Sequence, residues 1–218
     1  FENYDQVYAV LDNEEIAAEL TEGLDAHNMI QLAFWENGLR QVTSNKAINS
    51  PADLAGLKIR TPEDKMTIAI FEALGASPSP LAFSELYLAL QQGTFDGQEN
   101  PVANIYANNF ADVQKYISIT NHKYESKNMI FSLSSWNKYP DDVQSLLLEA
   151  AKIYGDEHRK AIVDAQDSQL AELEEAGMEV SRPDTSEFQE ATAQVYGQFY
   201  DQFDWAEGLV DQIKAIIE

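Results

Sequence analysis

The chain of 218 residues contains no cysteine, so disulfide bonds, thiol catalysis and cysteine-ligated metals are excluded. Its three histidines, His27, His122 and His158, lie far apart, and none has the spacing of a zinc motif such as HExxH. Gly-rich phosphate loops and the GxSxG element of hydrolases are absent as well. We therefore predict no metal site and no cofactor, and no motif indicates an enzyme.

Basic residues are scarce: 14 Lys and Arg stand against 37 Asp and Glu, which gives a net charge of -23. Nucleic acids are bound by basic surface, and anionic membranes attract basic segments, so this charge argues against both as partners. The acidity fits either a saline habitat, where salt screens self-repulsion, or a protein that is simply acidic. No apolar run approaches the ~20 residues of a membrane-spanning helix.

Hydrophobic residues make up 44% of the chain, which is typical of a globular protein of one large domain or two small ones. Short apolar runs alternate with segments of helical periodicity, and this alternation predicts an α/β fold. The predicted strands are 29–35, 38–44, 57–60, 116–120, 129–134 and 178–180. The predicted helices are 4–20, one turn after Ser50, 63–74, Ser84 to Gly93, 141 to about 176, and a last region from 185.

Two of the predicted helices have unusual features. The helix from 141 exceeds the usual length of a globular helix, so it either joins two lobes or kinks at Gly155. The last helical region carries an aromatic stripe, for which core or inter-lobe packing is favoured over a ligand platform. The stripe comprises Phe188, Tyr196, Phe199, Tyr200, Phe203 and Trp205.

Three polar residues stand at the ends of predicted strands: Arg40, Arg60 and Asn100. In open α/β sheets, ligands bind in the crevice outside the carboxyl ends of the strands. An arginine offers a planar fork that matches a carboxylate, and an asparagine amide supplies both a donor and an acceptor. Spacing alone leaves two alternatives open for Arg60, an ion pair with an internal acid or a contact with a ligand.

Three ordered motifs, FWENGLRQVTSNKAINSPADLAGLKIRTP, ALGASPSPLAFSELYLALQQGTFDGQENP and VQKYISITNHKY, carry a family resemblance. With them the chain resembles the extracytoplasmic solute receptors of TRAP transporters, the DctP-like family. The resemblance implies a two-lobed periplasmic binding protein with mixed sheets flanked by helices and a long lobe-spanning helix. It also implies a receptor, not an enzyme, that closes on an organic acid and delivers it to a membrane permease.

The resemblance assigns roles to individual residues. Arg60 would form the main salt bridge to the ligand carboxylate, Arg40 would support the same group, and Asn100 would hydrogen-bond it. Phe83 would pack against the ligand. Further contacts are implied for Glu63, His122, Trp35 and Tyr124.

The resemblance also predicts how the chain divides. Residues 1–37 and 126–165 would form the remainder of the first lobe, and residues 38–125 and 166–218 the second lobe with hinge and C-terminal helices. The chain starts in what resembles the segment after the first βα units, so we expect an incomplete first lobe that can self-associate. We expect a periplasmic protein, secreted by a signal peptide that is not present in this chain.

Several functions remain open from the sequence. We favour a receptor for a hydroxylated monocarboxylate such as a uronic or aldonic acid; a receptor for C4-dicarboxylates or ectoines is an alternative. A second alternative is an enzyme acting on organic acids, with Glu63, Glu99 or His122 as the acid or base. A third is an interaction module without a ligand, in which the arginines pair with acidic surfaces.

Overall fold

A computed structural model describes residues 1–217 and shows a mixed α/β chain. Its strands are β1 (Met29–Ser44), β2 (Lys58–Thr61), β3 (Ser77–Pro80), β4 (Gly97–Pro101), β5 (Tyr116–Ser132) and β6 (Glu179–Ser181). Its α-helices are α1 (Tyr4–Leu11), α2 (Glu14–Leu20), α3 (Lys65–Ala73), α4 (Phe83–Gln91), α5 (Val102–Ala107), α6 (Leu133–Trp136), α7 (Asp141–Glu175), α8 (Thr185–Thr192), α9 (Val195–Tyr200) and α10 (Ala206–Ile217). Within residues 1–217, none of these helices combines the length and apolar character needed to cross a bilayer.

The chain divides into two compact units. Unit 1 comprises Phe1–Asn37, Glu125–Val163 and Phe203–Glu218, and unit 2 comprises Gly38–Tyr124 and Asp164–Gln202. The sequence-based division differs at the C-terminus, because it placed 203–218 in the second lobe. The reason is apolar packing: Leu209 and Ile213 of α10 join the cluster around Val10 of α1.

The sheet has the strand order β3-β2-β4-β1-β5-β6. Strand β2 runs parallel to β3 and β4, β1 runs antiparallel to β4, and β5 runs parallel to β6. Unit 2 has two apolar cores, formed by side chains of the strands and of the elements packed on them. Phe71 and Ile59 belong to one core, and Phe110 and Ile117 belong to the other. The sheet is therefore mixed, as the resemblance implied.

Several local predictions are confirmed. Pro51 opens a short 3-10 turn, Pro51–Leu54, at which Ser50 and Asp53 form a reciprocal capping box. The predicted helix over 63–74 is present as α3, and Asp64, which was not predicted as a cap, accepts the amide hydrogens of Met66 and Thr67. These caps fix the segments on either side of β2, the strand that carries Arg60.

Other local predictions are wrong. Residues 29–44 form one strand instead of two, and so do residues 116–132. The helix predicted over 4–20 is interrupted, because Asn13 caps a second helix, α2. The helix predicted to begin with Ser84 as its cap begins one residue earlier, at Phe83, and no side chain caps it. The long helix predicted from 141 is confirmed as α7, and it continues through Gly155, so the alternative of a break there is not realised.

The residues of the C-terminal aromatic stripe differ in burial. Phe188 is buried in the core of unit 2. Tyr196, Phe203 and Trp205 are exposed, Trp205 to 59%. The prediction of core packing thus holds for the start of the stripe and fails for these three residues.

Candidate functional site

The candidate site lies in unit 2, at the carboxyl ends of the parallel strands β2 and β4. Arg60 of β2 is in register with Gln98 of β4, and Asn100 lies two residues further on the same strand face. Arg40 of the antiparallel strand β1 lies opposite Pro101, at the same end of β4. The sheet therefore brings together the three polar residues that the sequence placed at strand ends.

Arg60 is buried, and its guanidinium contacts a backbone carbonyl. The Arg60 residue is only 3% exposed. Its Nε and Nη2 groups both donate to the carbonyl oxygen of Leu81, with a distance of 2.8 Å from Nε. Burial lowers the pKa of this guanidinium, against the opposing effect of the nearby Glu99 carboxylate. Among residues 1–217, no carboxylate lies within ion-pair distance of Arg60.

The other buried arginines have such a partner. Arg40 pairs with Glu99, and Arg159 of unit 1 pairs with Asp12 at 2.8 Å. An unpaired charge removed from water is costly, so a buried arginine without a carboxylate needs an explanation. The internal ion pair that the sequence allowed for Arg60 is not formed within the part of the chain that the structure describes.

Arg40 takes part in a buried network around Glu99. Its Nη2 donates to Glu99 Oε1 at 2.8 Å and to Asn100 Oδ1 at 3.2 Å. His122 Nε2 lies 3.2 Å from Glu99 Oε2, and its Nδ1 lies 2.7 Å from the hydroxyl of Thr120. Burial would raise the pKa of Glu99, but hydrogen bonds from His122 and Arg40 outweigh it and hold that pKa below its ordinary value.

The network around Glu99, taken together with Arg60, has an excess of positive charge. Burial lowers the pKa of His122 despite the opposing carboxylate of Glu99, so the imidazole is neutral near pH 7. A neutral His122 donates its Nε2 hydrogen to Glu99 and accepts the Thr120 hydroxyl at Nδ1. The cluster of Arg40, Arg60, Glu99 and His122 thus contains two guanidinium charges and one carboxylate charge. It carries one uncompensated positive charge.

The neutral state of His122 predicts a pH dependence of stability. Because the pKa of His122 is lowered in the folded state, the unfolded state binds more protons once the pH falls below 6.5, the ordinary value for histidine. The free energy of unfolding should therefore decrease below that pH. We expect His122→Gln to remove this part of the decrease, measured by urea unfolding at a series of pH values. An unchanged pH profile in the variant would contradict the assignment.

Phe83 stands beside Arg60. Its ring centroid lies 5.9 Å from the Arg60 Cζ atom, and the ring also packs against Phe110 at 6.2 Å. The side of α4 on which Phe83 lies is open, and the residue is 43% exposed. An exposed aromatic next to a buried cation can cover the apolar part of a bound anion. The position of Phe83 is compatible with the ligand contact predicted for it.

The remaining predicted residues differ in their surroundings. Glu63 is exposed in the connection between β2 and α3, and no contact joins it to Arg60 among the described residues. Tyr124 is half-buried and is the last residue of the segment Gly38–Tyr124 of unit 2. Trp35 belongs to unit 1, where its indole donates to the carbonyl of Ala151 and stacks on His158. Ligand contacts of these three residues stay predictions.

Glu99 is the residue that the sequence reasoning undervalued. It was considered only as a general acid or base, whereas in the structure it is fully buried and holds Arg40, His122 and, through Arg40, Asn100. A signal was present, since a charged residue inside a short central strand requires a partner of opposite charge. The structure supplies that partner from β1.

The comparisons with known proteins identify the family of the chain. Residues 1–202 match the family model of bacterial extracellular solute-binding proteins, family 7, DctP. The chain belongs to this family. It is 36% identical over 178 residues to the sialic acid-binding periplasmic protein of Vibrio cholerae, a match that covers 82% of this chain and 56% of the relative. The chain thus spans little more than half of that relative's length.

Solved structures of the family have the same fold. A TRAP periplasmic solute-binding protein from Polaromonas sp. JS666, bound to D-erythronate, matches with a TM-score of 0.90 and 35% identity over 100% of this chain and 70% of that chain. One from Sulfurospirillum deleyianum with bound succinate matches with a TM-score of 0.88 and 33% identity over 99% of this chain and 72% of that chain. The α/β fold predicted from the sequence is therefore confirmed.

Proposed function

We propose that this chain carries the carboxylate-binding residues of a TRAP transporter receptor, with Arg60 as the principal contact. The observation behind the proposal is the buried guanidinium of Arg60, which no carboxylate of the described chain touches. A bound carboxylate would compensate this charge with charge-assisted hydrogen bonds. Because Nε and Nη2 each donate one hydrogen to the carbonyl oxygen of Leu81, both Nη1 hydrogens and the second Nη2 hydrogen are left for the ligand.

We propose that Asn100 and Phe83 complete the contact. Asn100 Oδ1 accepts from Arg40, so Asn100 links the supporting arginine to the carboxyl end of β4, where Arg60 also lies. Phe83 lies over the Arg60 guanidinium and offers an apolar face. Glu99 is held by Arg40 and His122, which makes it a poor general base for turnover. A receptor is therefore favoured over an enzyme.

The charge of Arg40, Arg60 and Glu99 supports a proposal on the ligand class. One excess positive charge is neutralised by one carboxylate, whereas a dicarboxylate would bring a second negative charge that this cluster does not balance. Two relatives bind hydroxylated monocarboxylates, sialic acid and D-erythronate, and a third structure holds succinate. We propose a hydroxylated monocarboxylate such as an aldonic or uronic acid.

The family supports a proposal on the partners and the location of the protein. We propose that the receptor delivers its ligand to TRAP membrane permease subunits, and that it works outside the cytoplasm, as the periplasmic relatives do. We also propose that the chain self-associates through unit 1.

A thermal-shift screen tests the proposed function. We expect D-gluconate and D-galacturonate to raise the melting temperature, because a ligand that binds only the folded state adds about 2.7 kcal/mol of stability at 100 times its Kd. D-galactose, which lacks the carboxylate, is the matched control and should have no effect. No shift with any acid would contradict the carboxylate site. A shift with succinate or ectoine alone would refute the ligand class.

A further inference from the structure

A series of buried polar side chains, here called the polar relay, leads from Asn100 into unit 2. Asn100 Nδ2 donates to Gln98 Oε1, and Gln98 Nε2 donates to Thr43 Oγ1 at 2.9 Å. The Thr43 hydroxyl in turn lies 3.1 Å from Gln114 Oε1 and donates to it. Gln114 Nε2 then donates to the carbonyl oxygen of Val113 at 3.1 Å. The four relay residues are Asn100, Gln98, Thr43 and Gln114, and each is at most 4% exposed.

The register of two strands builds the middle of the relay. Strands β1 and β4 pair antiparallel with Thr43 opposite Gln98, and Asn100 follows two residues later on the same face of β4. Directly opposed side chains have Cβ atoms about 4.5–5.5 Å apart, so a hydroxyl and an amide can reach each other. Buried polar groups require hydrogen-bond partners, and here each residue supplies one to the next.

The two ends of the relay fix its direction. At one end, Arg40 Nη2 lies 3.2 Å from Asn100 Oδ1, and a guanidinium can only donate. At the other end, Val113 supplies a carbonyl oxygen, which can only accept. The reverse direction would set the amide hydrogens of Asn100 against Arg40, and Gln114 Oε1 against the carbonyl of Val113. The Thr43 hydroxyl both donates and accepts, so it transmits the direction from one amide to the next.

The fixed direction leaves Asn100 with one hydrogen to offer. Its Oδ1 accepts from Arg40 and, at 3.5 Å, from Asn104 Nδ2. One of its two Nδ2 hydrogens is donated to Gln98. The second Nδ2 hydrogen has no acceptor among residues 1–217. Toward a ligand, Asn100 is therefore a hydrogen-bond donor and not an acceptor.

We infer that Gln98, Thr43 and Gln114 are positioning residues that hold Asn100 as a donor to the ligand carboxylate. Arg60 also can only donate, so both ligand atoms that these two residues contact must be acceptors. An ionised carboxylate meets this requirement with two oxygens, whereas the NH2 group of a carboxamide does not. The inference rests on the proposed function, because it takes the ligand carboxylate to lie at Arg60 and Asn100.

Nitrogen-15 NMR spectra of the unliganded chain test the orientation of Asn100, whose side-chain signals are identified by their loss in Asn100→Ala. We expect Thr43→Val to shift and broaden these signals, because the valine leaves Gln98 Nε2 without its acceptor and the direction of the relay is no longer fixed. Thr43→Ser keeps the hydroxyl and should leave them near their original positions. Unchanged Asn100 signals in Thr43→Val would overturn the inference, whether or not a ligand binds.

The matched control is Ser118→Ala. Ser118 lies on β5 in unit 2, is fully buried, and accepts a hydrogen bond from the hydroxyl of Ser181 at 2.7 Å, outside the relay. Its loss removes a buried hydroxyl, as Thr43→Val does, and it should leave the Asn100 signals in place and ligand affinity within about twofold.

Calorimetric titration with D-galacturonate and D-gluconate tests the effect on binding. Asn100→Ala removes one hydrogen bond to a charged group and should weaken binding roughly 10-fold to 150-fold. Thr43→Val should weaken it about 10-fold, and Thr43→Ser should bind within about twofold of the unchanged chain. In the Asn100→Ala background, Thr43→Val should cause no further loss, because Thr43 acts through Asn100. An equal loss in that background would show a purely structural effect and would overturn the positioning role.

Spectra recorded during the titration separate the inference from the proposed function. On binding of the acid, the Nδ2 hydrogen of Asn100 that is not bonded to Gln98 should shift. An acid that binds without moving either hydrogen would refute the donor role of Asn100 and leave the proposed function intact. If neither acid binds the unchanged chain, the proposed function and the donor role fail together, and the unliganded spectra still decide whether the relay orients Asn100.

Discussion

Replacing Arg60 with alanine is expected to abolish measurable binding of the carboxylate ligand. Arg60 is 3% exposed and has no acidic partner within residues 1–217, so the ligand carboxylate would be the countercharge in direct contact with its guanidinium. Truncating one member of a buried, hydrogen-bonded charge pair typically costs about 2–5 kcal/mol, or roughly 30-fold to several-thousand-fold in affinity. Calorimetric titration with the best acid from the thermal-shift screen measures the loss.

Two further substitutions at Arg60 make the result specific. Arg60→Lys should restore little affinity, because an ammonium group cannot reproduce the planar fork that contacts both Leu81 and a carboxylate. Arg60→Met keeps much of the apolar volume, and its unliganded stability should be unchanged or higher, since an uncompensated buried charge is removed. The opposite pattern, a lower melting temperature without ligand and an intact affinity, would show that Arg60 serves the fold.

The sequence was informative where the site depends on strand ends. Arg60 and Asn100 could be placed at the ends of strands from their neighbours, Thr61-Pro62 and Pro101, which stop a strand locally. Parallel strands then bring both residues to one edge of the sheet. The choice between an internal acid and a ligand could not be made from spacing, because it depends on which of 37 acids the fold brings near.

The ion pair between Arg40 and Glu99 shows why the partner of an arginine cannot be predicted from spacing. Residues 40 and 99 are 59 positions apart, and their contact arises only because β1 and β4 pair antiparallel with Arg40 opposite Pro101. A shift of the register by one residue would turn Glu99 to the other face of the sheet. Sequence patterns do not fix this register.

The predicted break at Asn37-Gly38 illustrates a tertiary effect. Asn-Gly is a common turn signal between two strands, and Gly38 indeed has a positive φ of 123°. The chain nevertheless continues as strand β1 on both sides of it, next to the similarly long β5. Pairing along β5 outweighs the local preference, so one strand replaces the predicted two.

Replacing Glu99 with glutamine is expected to have the largest effect on stability. Glu99 is fully buried and is the carboxylate that holds Arg40 and His122. Removing one member of a buried ion pair costs about 3–5 kcal/mol, out of a total of about 5–15 kcal/mol for a typical domain. Urea unfolding should show a much lower midpoint with an unchanged slope. Glu63→Gln, an exposed change of the same chemistry in unit 2, should alter stability by less than about 0.5 kcal/mol.

A double variant separates the charge effect from other causes of instability. In Glu99→Gln the guanidinium of Arg40 loses its countercharge, so Arg40→Met in the same chain should recover part of the lost stability, because the uncompensated cation is gone. Simple additivity of the two losses would show that the pair is not coupled. If Glu99→Gln instead left the unfolding midpoint unchanged and abolished ligand binding, Glu99 would be a ligand contact, and the excess positive charge assigned to the cluster would be incorrect.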